Sequence, residues 1–458
     1  MVFIFVLFLI FYIYHLDYNF YNYDEGTNLY ASWELSQGKL PYRDFFFVYF
    51  PSIHIAMGYL FNKFGVSIFL ARILSVIFAF FTAFWVFYFS VEFSKKFFPA
   101  LFSFSLFLLN TYTLIFARGF LPLFFWVFLA LTSVYFVYKF LAREKKWTIF
   151  TAGVLLGMSA YIKLLAMAFF ISIVLILSLK RKFKAIIYFL SGFALTFIFP
   201  VIYLFIKFYP QIWEMAFKFH FLQREHYLFI ILEDLFRHNF YLFILGLPFI
   251  LGYRWSKNPL DDLLFFLVMV LFMFPAISGK FIWFQYFYPL IPIFSIICSR
   301  SISRINKFNL YSILICLFAI LACGYYFRKD IRYFQRWKRY DIATINLVEF
   351  IKNHTTPEDY ILCEYLYINI LSGRENPPEL ADISHTRIIS QRITPEYIID
   401  VCEKYNVKVI IYRVRSVPFR LDLIAIQPEF RNYLNKRFHL VGDWRRNYDV
   451  LRVFIRKR

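Results

Sequence analysis

The residues most able to do chemistry are two adjacent carboxylates, Asp24 and Glu25, just beyond a first apolar run that ends at Leu16. A carboxylate at a membrane–water boundary can take the proton of an acceptor hydroxyl or amine as a general base. The same two acids could equally be solvated loop residues or serve only to orient the chain. Arg72, Arg118, Lys163, Arg224, Lys280 and Tyr286 stand beside or within strongly apolar sequence. An ionisable group at membrane depth is a functional candidate by default. Against that, Arg118 and Arg224 could snorkel to lipid headgroups, and Tyr286 could sit in an interfacial aromatic belt. His220 and His226, six residues apart, do not make a helical metal pair, so no metal site is expected there.

The elements that must position these residues are apolar helices. Of 458 residues 61% are hydrophobic and 66 are Phe, concentrated in runs of about 15 to 25 residues over the first three quarters of the chain. At 1.5 Å per residue, roughly 20 apolar residues cross a ~30 Å hydrocarbon core. Only helices or closed barrels satisfy their backbone there, and these runs lack the alternation of barrel strands. The net charge of +21 does not point to nucleic acid, because the basic residues sit in short loops between apolar runs rather than on one soluble face. The clusters are Lys95-Lys96; Lys139, Arg143, Lys145 and Lys146; Lys180-Arg181-Lys182 with Lys184; Arg254 with Lys257; and Arg300, Arg304 and Lys307. If all five are cytoplasmic, the spans are approximately 2–16, 66–91, 97–116, 120–140, 148–162, 164–179, 185–207, 240–252, 259–275, 287–299 and 308–327. That makes about eleven helices, with a cytoplasmic N-terminus and an external C-terminus. The run at Val2 to Leu16 has no basic n-region and no small-residue cleavage site, and reads as a retained span. Basic flanks on both sides of 148–179 predict a hairpin with Lys163 at its apex, its helices drawn together by the Gly153/Gly157 step.

Two external loops are expected. The first, 17–52, is acidic, with Asp17, Asp24, Glu25, Glu34 and Asp44 outweighing Lys39 and Arg43; the second, about 208–239, carries His220, Arg224, Glu225, His226 and Arg237. The chain divides into a transmembrane part (1–327), a basic juxtamembrane linker (328–340) and a small soluble α/β domain (341–458). In that domain Ile342–Lys352 and Pro395–Tyr405 read as helices, and Tyr360–Cys363 and Val407–Tyr412 as strands. Cys298, Cys316 and Cys323 read as small core residues, whereas Cys363 and Cys402 could pair in an oxidising compartment.

Asp24-Glu25-Gly26, Gly38-Lys39-Leu40-Pro41-Tyr42-Arg43-Asp44-Phe45-Phe46 and Tyr49-Phe50-Pro51 together resemble the opening of GT-C-type membrane glycosyltransferases. The likeness is to the family 39-like group that includes protein O-mannosyltransferases and lipid A aminoarabinose transferases. Ala71 to Ser75, Gly153 to Lys163, Lys280 with Gln285-Tyr286, Pro289 and Pro292, and Ser372-Gly373-Arg374 with Pro377-Pro378 resemble later segments of the family. Phe50-Pro51 departs from the two prolines of many relatives. The resemblance implies an inverting transfer from a polyprenyl-phosphate-linked sugar to a protein, lipid or polysaccharide acceptor on the non-cytoplasmic face. It gives Asp24 the role of the activating acid with Glu25 beside it, and places Arg43 and Asp44 in the acceptor loop. A lipid-phosphate leaving group needs cations and hydroxyls where charge develops; Arg72, Lys163, Lys280 and Tyr286 lie in the matching segments, and these with Arg118 and Arg224 fall at expected external helix ends. The resemblance fixes no cofactor, and Asp24 and Glu25 could hold a divalent metal. The competing class is a transporter or lipid-linked sugar flippase, but no internal repeat is found. A cysteine introduced near Asp382 is expected to react with a membrane-impermeant label in intact cells; labelling only after lysis would reverse the sides.

Overall fold

In the computed structural model, residues 2–14, 16, 23–221, 228–253, 258–277, 286–303, 317, 321–322, 324–325, 328–329, 341–417, 419–445 and 450–457 are described. The chain opens with α1 (Val2–Ile13), α2 (Tyr23–Ser36), α3 (Ser52–Phe64) and α4 (Ile68–Ser94). It continues with α5 (Phe97–Leu108), α6 (Thr111–Ala117), α7 (Leu123–Arg143), α8 (Lys146–Ile162) and α9 (Met167–Leu179). Then come α10 (Phe183–Phe193), α11 (Phe199–Phe208), α12 (Leu228–Leu251), α13 (Pro259–Ile277) and α14 (Leu290–Ser303). Two compact units result: Met1–Leu16, Arg72–Leu204 and Glu225–Tyr333 form the first, and Asp17–Ala71, Phe205–Arg224 and Phe334–Arg458 the second. The acidic segment after the first apolar run therefore folds with the C-terminal residues, a grouping that a single division at residue 327 does not express.

In the first unit most described helices fall within a few residues of the expected spans, but α12 starts at Leu228 rather than 240, so the later part of the expected loop 208–239 is helix. Among the described residues, three helices can cross a bilayer by length and apolarity alone, Ile68–Ser94, Leu123–Arg143 and the continuous run Phe183–Phe208. The pair Phe97–Leu108 and Thr111–Ala117, bent by 59°, makes a fourth. Leu164–Leu179, Leu235–Leu251 and Leu290–Ser303 are apolar and shorter. Polar breaks shorten them. Asn110 ends α5 and caps α6 by accepting from the Tyr112 and Thr113 amides, and its Nδ2 donates to Asn239 and Tyr241. Lys163 is extended (φ −150°, ψ 121°) and stops α8, as expected, before a short 3-10 turn leads into α9. Most of the expected span 308–327 lies outside the described residues, as do Cys316 and Cys323.

Contacts between loops carry the basic clusters to one set of helix ends. Lys182 meets Glu144 at 2.5 Å, Lys180 meets Asp262 at 2.7 Å, Arg300 pairs with Asp261, and Lys96 donates to the Ser303 carbonyl at 2.8 Å. The five clusters were placed on one side from sequence; four meet directly, and Asp261 and Asp262 stand just after the fifth, whose Arg254 and Lys257 lie outside the described residues.

α8 packs between α7 and α10 at backbone distance. A Cβ on Gly153 would lie 2.1 Å from the Phe189 carbonyl oxygen, one on Gly157 would lie 2.2 Å from Thr196 Oγ1, and one on Gly192 would lie 2.3 Å from the Phe150 carbonyl oxygen. Sequence reading put these glycines against 164–179; they face α10 instead, because the extended residue at Lys163 carries α9 off that face of α8. Thr196 Oγ1 donates to the Val154 carbonyl across the same contact.

In the second unit a four-stranded sheet has the order β1 (Ile361–Cys363), β2 (Val409–Val414), β4 (Val450–Arg456), β3 (Phe438–Arg445). β1 and β2 are parallel and the remaining pairs antiparallel. The expected helices appear as Asp341–His354 and Pro395–Lys404; the β3–β4 hairpin was not anticipated. Cys363 and Cys402 are not joined in a disulfide and both are buried, in different hydrophobic clusters. Neighbouring strand residues point to opposite faces: Leu362 lies in the Cys402 cluster and Cys363 in the other, so the sheet separates the thiols and the suggested disulfide is corrected. Burial pushes the Cys402 thiol up to about 12. Asp382 is buried, so a topology label belongs on exposed Glu396.

Gly153→Ala and Gly192→Ala should each lower the Tm of the detergent-solubilised protein, because backbone carbonyls at these distances cannot yield and overpacking costs about 1–3 kcal/mol. An unchanged Tm in both would mean that α8 and α10 are farther apart.

Candidate functional site

The expected external loop 17–52 is corrected to a helix and a turn. α2 runs Tyr23–Ser36 with Asp24 and Glu25 in its first turn, and Glu25 to Glu34 are all buried. Residues 17–22, including Asp17, lie outside the described residues. Carboxylates are favoured at a helix N-terminus, where amide groups and the helix dipole face them. Successive helical residues point about 100° apart. Accordingly Asp24 is half-buried while Glu25 is only 1% exposed. Among the described residues no three His, Cys, Asp or Glu side chains form a metal group.

The buried length of α2 is satisfied by the segment that follows β1. Asn376 donates its backbone N–H to the Tyr30 hydroxyl at 3.0 Å. Its side chain donates to the Cys363 and Leu380 carbonyls and accepts from the Cys363 amide and Asn369. Lys39 bridges Glu34 at 2.8 Å and Glu375 at 2.5 Å. Burial, then the nearby Glu375 carboxylate, raise the Glu34 carboxyl above its ordinary range. The Phe46 amide donates to the Pro378 carbonyl at 3.1 Å, and the Arg387 guanidinium lies 3.8 Å from the Phe46 ring. Gly26 lies against the backbone of Leu366 and Tyr367. Arg374, in the Ser372-Gly373-Arg374 stretch singled out from sequence, donates to the Thr355 hydroxyl and carbonyl and to the Ser372 carbonyl.

Arg43 and Asp44, expected to meet an acceptor, pair with each other. Arg43 is exposed and donates to both Asp44 oxygens, while Asp44 also accepts from the Leu40 amide and closes the turn. α3, which follows this turn, was missed. It presents buried His54, whose Nε2 is 2.8 Å from Asn28 Oδ1 on α2. The C-terminal domain holds a further buried network in which Arg415 joins Glu364 at 2.9 Å and Asp422 at 2.7 Å. Neither His54 nor this network showed a spacing that could have identified it.

In the first unit the structure brings Arg72 and Arg118 together on the end of α1. Arg72 donates to the Leu16 carbonyl at 2.8 Å, and Arg118 to those of Tyr12 and Tyr14, both at 2.9 Å. These are among the carbonyls a helix C-terminus leaves unpaired. Lys163 is half-buried at the end of α8 remote from the basic clusters. Tyr286 is half-buried in the turn entering α14, beside fully buried Tyr288, whose hydroxyl is 3.1 Å from Thr113 Oγ1. Lys280 and Arg224 lie outside the described residues, as do Glu225, His226 and the His220 side chain.

No family model and no curated protein matches this sequence. Among solved structures, the chain is similar to ArnT from Cupriavidus metallidurans bound to undecaprenyl phosphate, with TM-score 0.72 and 12% identity over 99% of this chain and 97% of that one. It is similar also to the apo state of the same protein, with TM-score 0.71 and 10% identity over 99% and 96%. ArnT is a lipid A aminoarabinose transferase of GT-C fold. At such identities the likeness is one of fold, and the sequence resemblance points to the same place: this chain has the GT-C fold.

Proposed function

We propose that this chain is a multi-pass membrane glycosyltransferase, with about eleven crossings, that moves a sugar from a polyprenyl-phosphate carrier to an acceptor on the non-cytoplasmic face. The observation that carries it is the likeness over nearly the whole chain to a transferase bound to undecaprenyl phosphate. The convergence of the basic clusters on one set of helix ends supports a cytoplasmic N-terminus and an external C-terminal domain.

In the proposed reaction Asp24 takes the proton of the acceptor hydroxyl or amine. The freed lone pair attacks the anomeric carbon from the side opposite the phosphate, the bond from that carbon to the phosphate oxygen breaks, and polyprenyl phosphate leaves with the electron pair. Configuration inverts. Half-buried Asp24 can face an acceptor, whereas Glu25 is enclosed. Arg72 and Arg118 commit guanidinium N–H groups to the end of α1, and the phosphate charge in this reading falls to Lys163 and Lys280, with Arg224 and Tyr286 assisting. The acceptor class, protein, lipid or polysaccharide, is set by what reaches the Asp24 turn.

Turnover is measured as release of polyprenyl phosphate from a polyprenyl-phosphate-sugar fraction extracted from host membranes. Asp24→Asn should lower it by roughly 10²–10⁴ with donor binding retained, and Glu25→Gln should do less harm. Full activity in both variants and in their double would remove the general base. Lys163→Met and Lys280→Met should each weaken donor binding roughly ten- to hundredfold, the worth of one charge-assisted hydrogen bond of about 1.5–3 kcal/mol. Unchanged binding in the double variant would assign both lysines to helix anchoring.

A further inference from the structure

Tyr23 immediately precedes Asp24, and the C-terminal part of the same unit grips its side chain at two points. Its hydroxyl donates to Asp382 Oδ1, and the Arg420 guanidinium lies 3.6 Å from its ring centroid. Both partners are themselves held. Arg387, buried, donates to the carbonyls of Asp382 and Glu379. The Phe419 ring lies 5.5 Å from Arg420 and is stacked on His385 at 4.0 Å. Burial, then the Asp382 carboxylate, hold the Tyr23 phenol well above its ordinary range, which keeps it a proton donor to Asp382. The rest of α2 is anchored independently, at Tyr30 by Asn376 and at Glu34 through Lys39 and Glu375. The grip on Tyr23 therefore bears on the first helical turn alone, the turn that carries Asp24.

We propose that Tyr23 is a positioning residue: its clasp by Asp382 and Arg420 sets the orientation of the Asp24 carboxylate toward the acceptor, so that the C-terminal domain controls the base. This rests on Asp24 being the general base. A catalytic group displaced by about 1 Å loses roughly a hundredfold in rate, and a residue acting only through Asp24 has no effect once that carboxylate is gone.

The test uses the full-length protein and the polyprenyl-phosphate-sugar fraction described above. Tyr23→Phe keeps the ring against Arg420 and removes only the hydroxyl; Asp382→Asn keeps size and removes the charged acceptor. Each should lower kcat roughly ten- to a hundredfold with KM for the donor and Tm little changed. The two together should do no more than either alone. In an Asp24→Asn background, Tyr23→Phe should leave the residual rate unchanged. If Tyr23→Phe lowers that residual rate by the same factor as in the wild-type protein, the residue acts on the fold and the proposal fails. Wild-type kcat in both single variants, with Asp24→Asn inactive, overturns the positioning role while leaving the base in place. Full activity in Asp24→Asn removes the base and the positioning role with it.

Discussion

A helix that buries charged and polar side chains must find partners for them, because an uncompensated buried charge is among the most costly features a fold can contain. α2 meets this requirement from the other end of the chain: Tyr30 is matched by Asn376, 346 residues away, and Glu34 by Lys39, which also holds Glu375. Removing the segment that follows β1 would take Asn376 from Tyr30 and Glu375 from the Lys39 bridge. The carboxylates Asp24 and Glu25 are therefore presented by a helix whose stability depends on the C-terminal residues, which gives those residues a structural role.

The first unit solves a different problem with the same economy of polar groups. Its helices are largely apolar, and several of their polar side chains serve backbone groups. Arg72 and Arg118 cover carbonyls at the end of α1, Asn110 covers the start of α6, and Ser133 and Ser159 reach the carbonyls of Ala152 and Trp126 on neighbouring helices. Where close approach is needed, Gly153, Gly157 and Gly192 remove the side chain altogether. The arginines that looked like phosphate ligands thus have structural work visible in their hydrogen bonds, whereas Lys163 stands at a helix break.

What the sequence made legible follows from how local its signals are. The apolar runs, the break at Lys163 and the common side of the basic clusters could all be read, because hydropathy and charge are local properties. So could the first two strands of the soluble domain. α2 could not, since a run containing Asp24, Glu25 and Glu34 looks solvent-exposed until partners from residues 375–378 are known. The facing of Gly153 toward α10 rather than α9 is a choice between two apolar neighbours that spacing cannot make. Cys363 and Cys402 showed the same limit: an oxidising compartment would allow a pair, and only the sheet between them forbids it. Asp24 was found through a resemblance, since the dipeptide itself is equally at home in an inert loop; its helical setting and half-burial now give it a physical context.

The central claim, that this chain uses a lipid-phosphate sugar, is tested most directly by native mass spectrometry of the purified protein. The expected result is a co-purifying polyprenyl-phosphate-linked sugar that loses its sugar mass, leaving bound or released polyprenyl phosphate, when acceptor-containing membranes are added. A lipid-linked sugar that stays intact through that addition, or that crosses a vesicle membrane unaltered in the presence of the protein, would contradict transfer and favour transport.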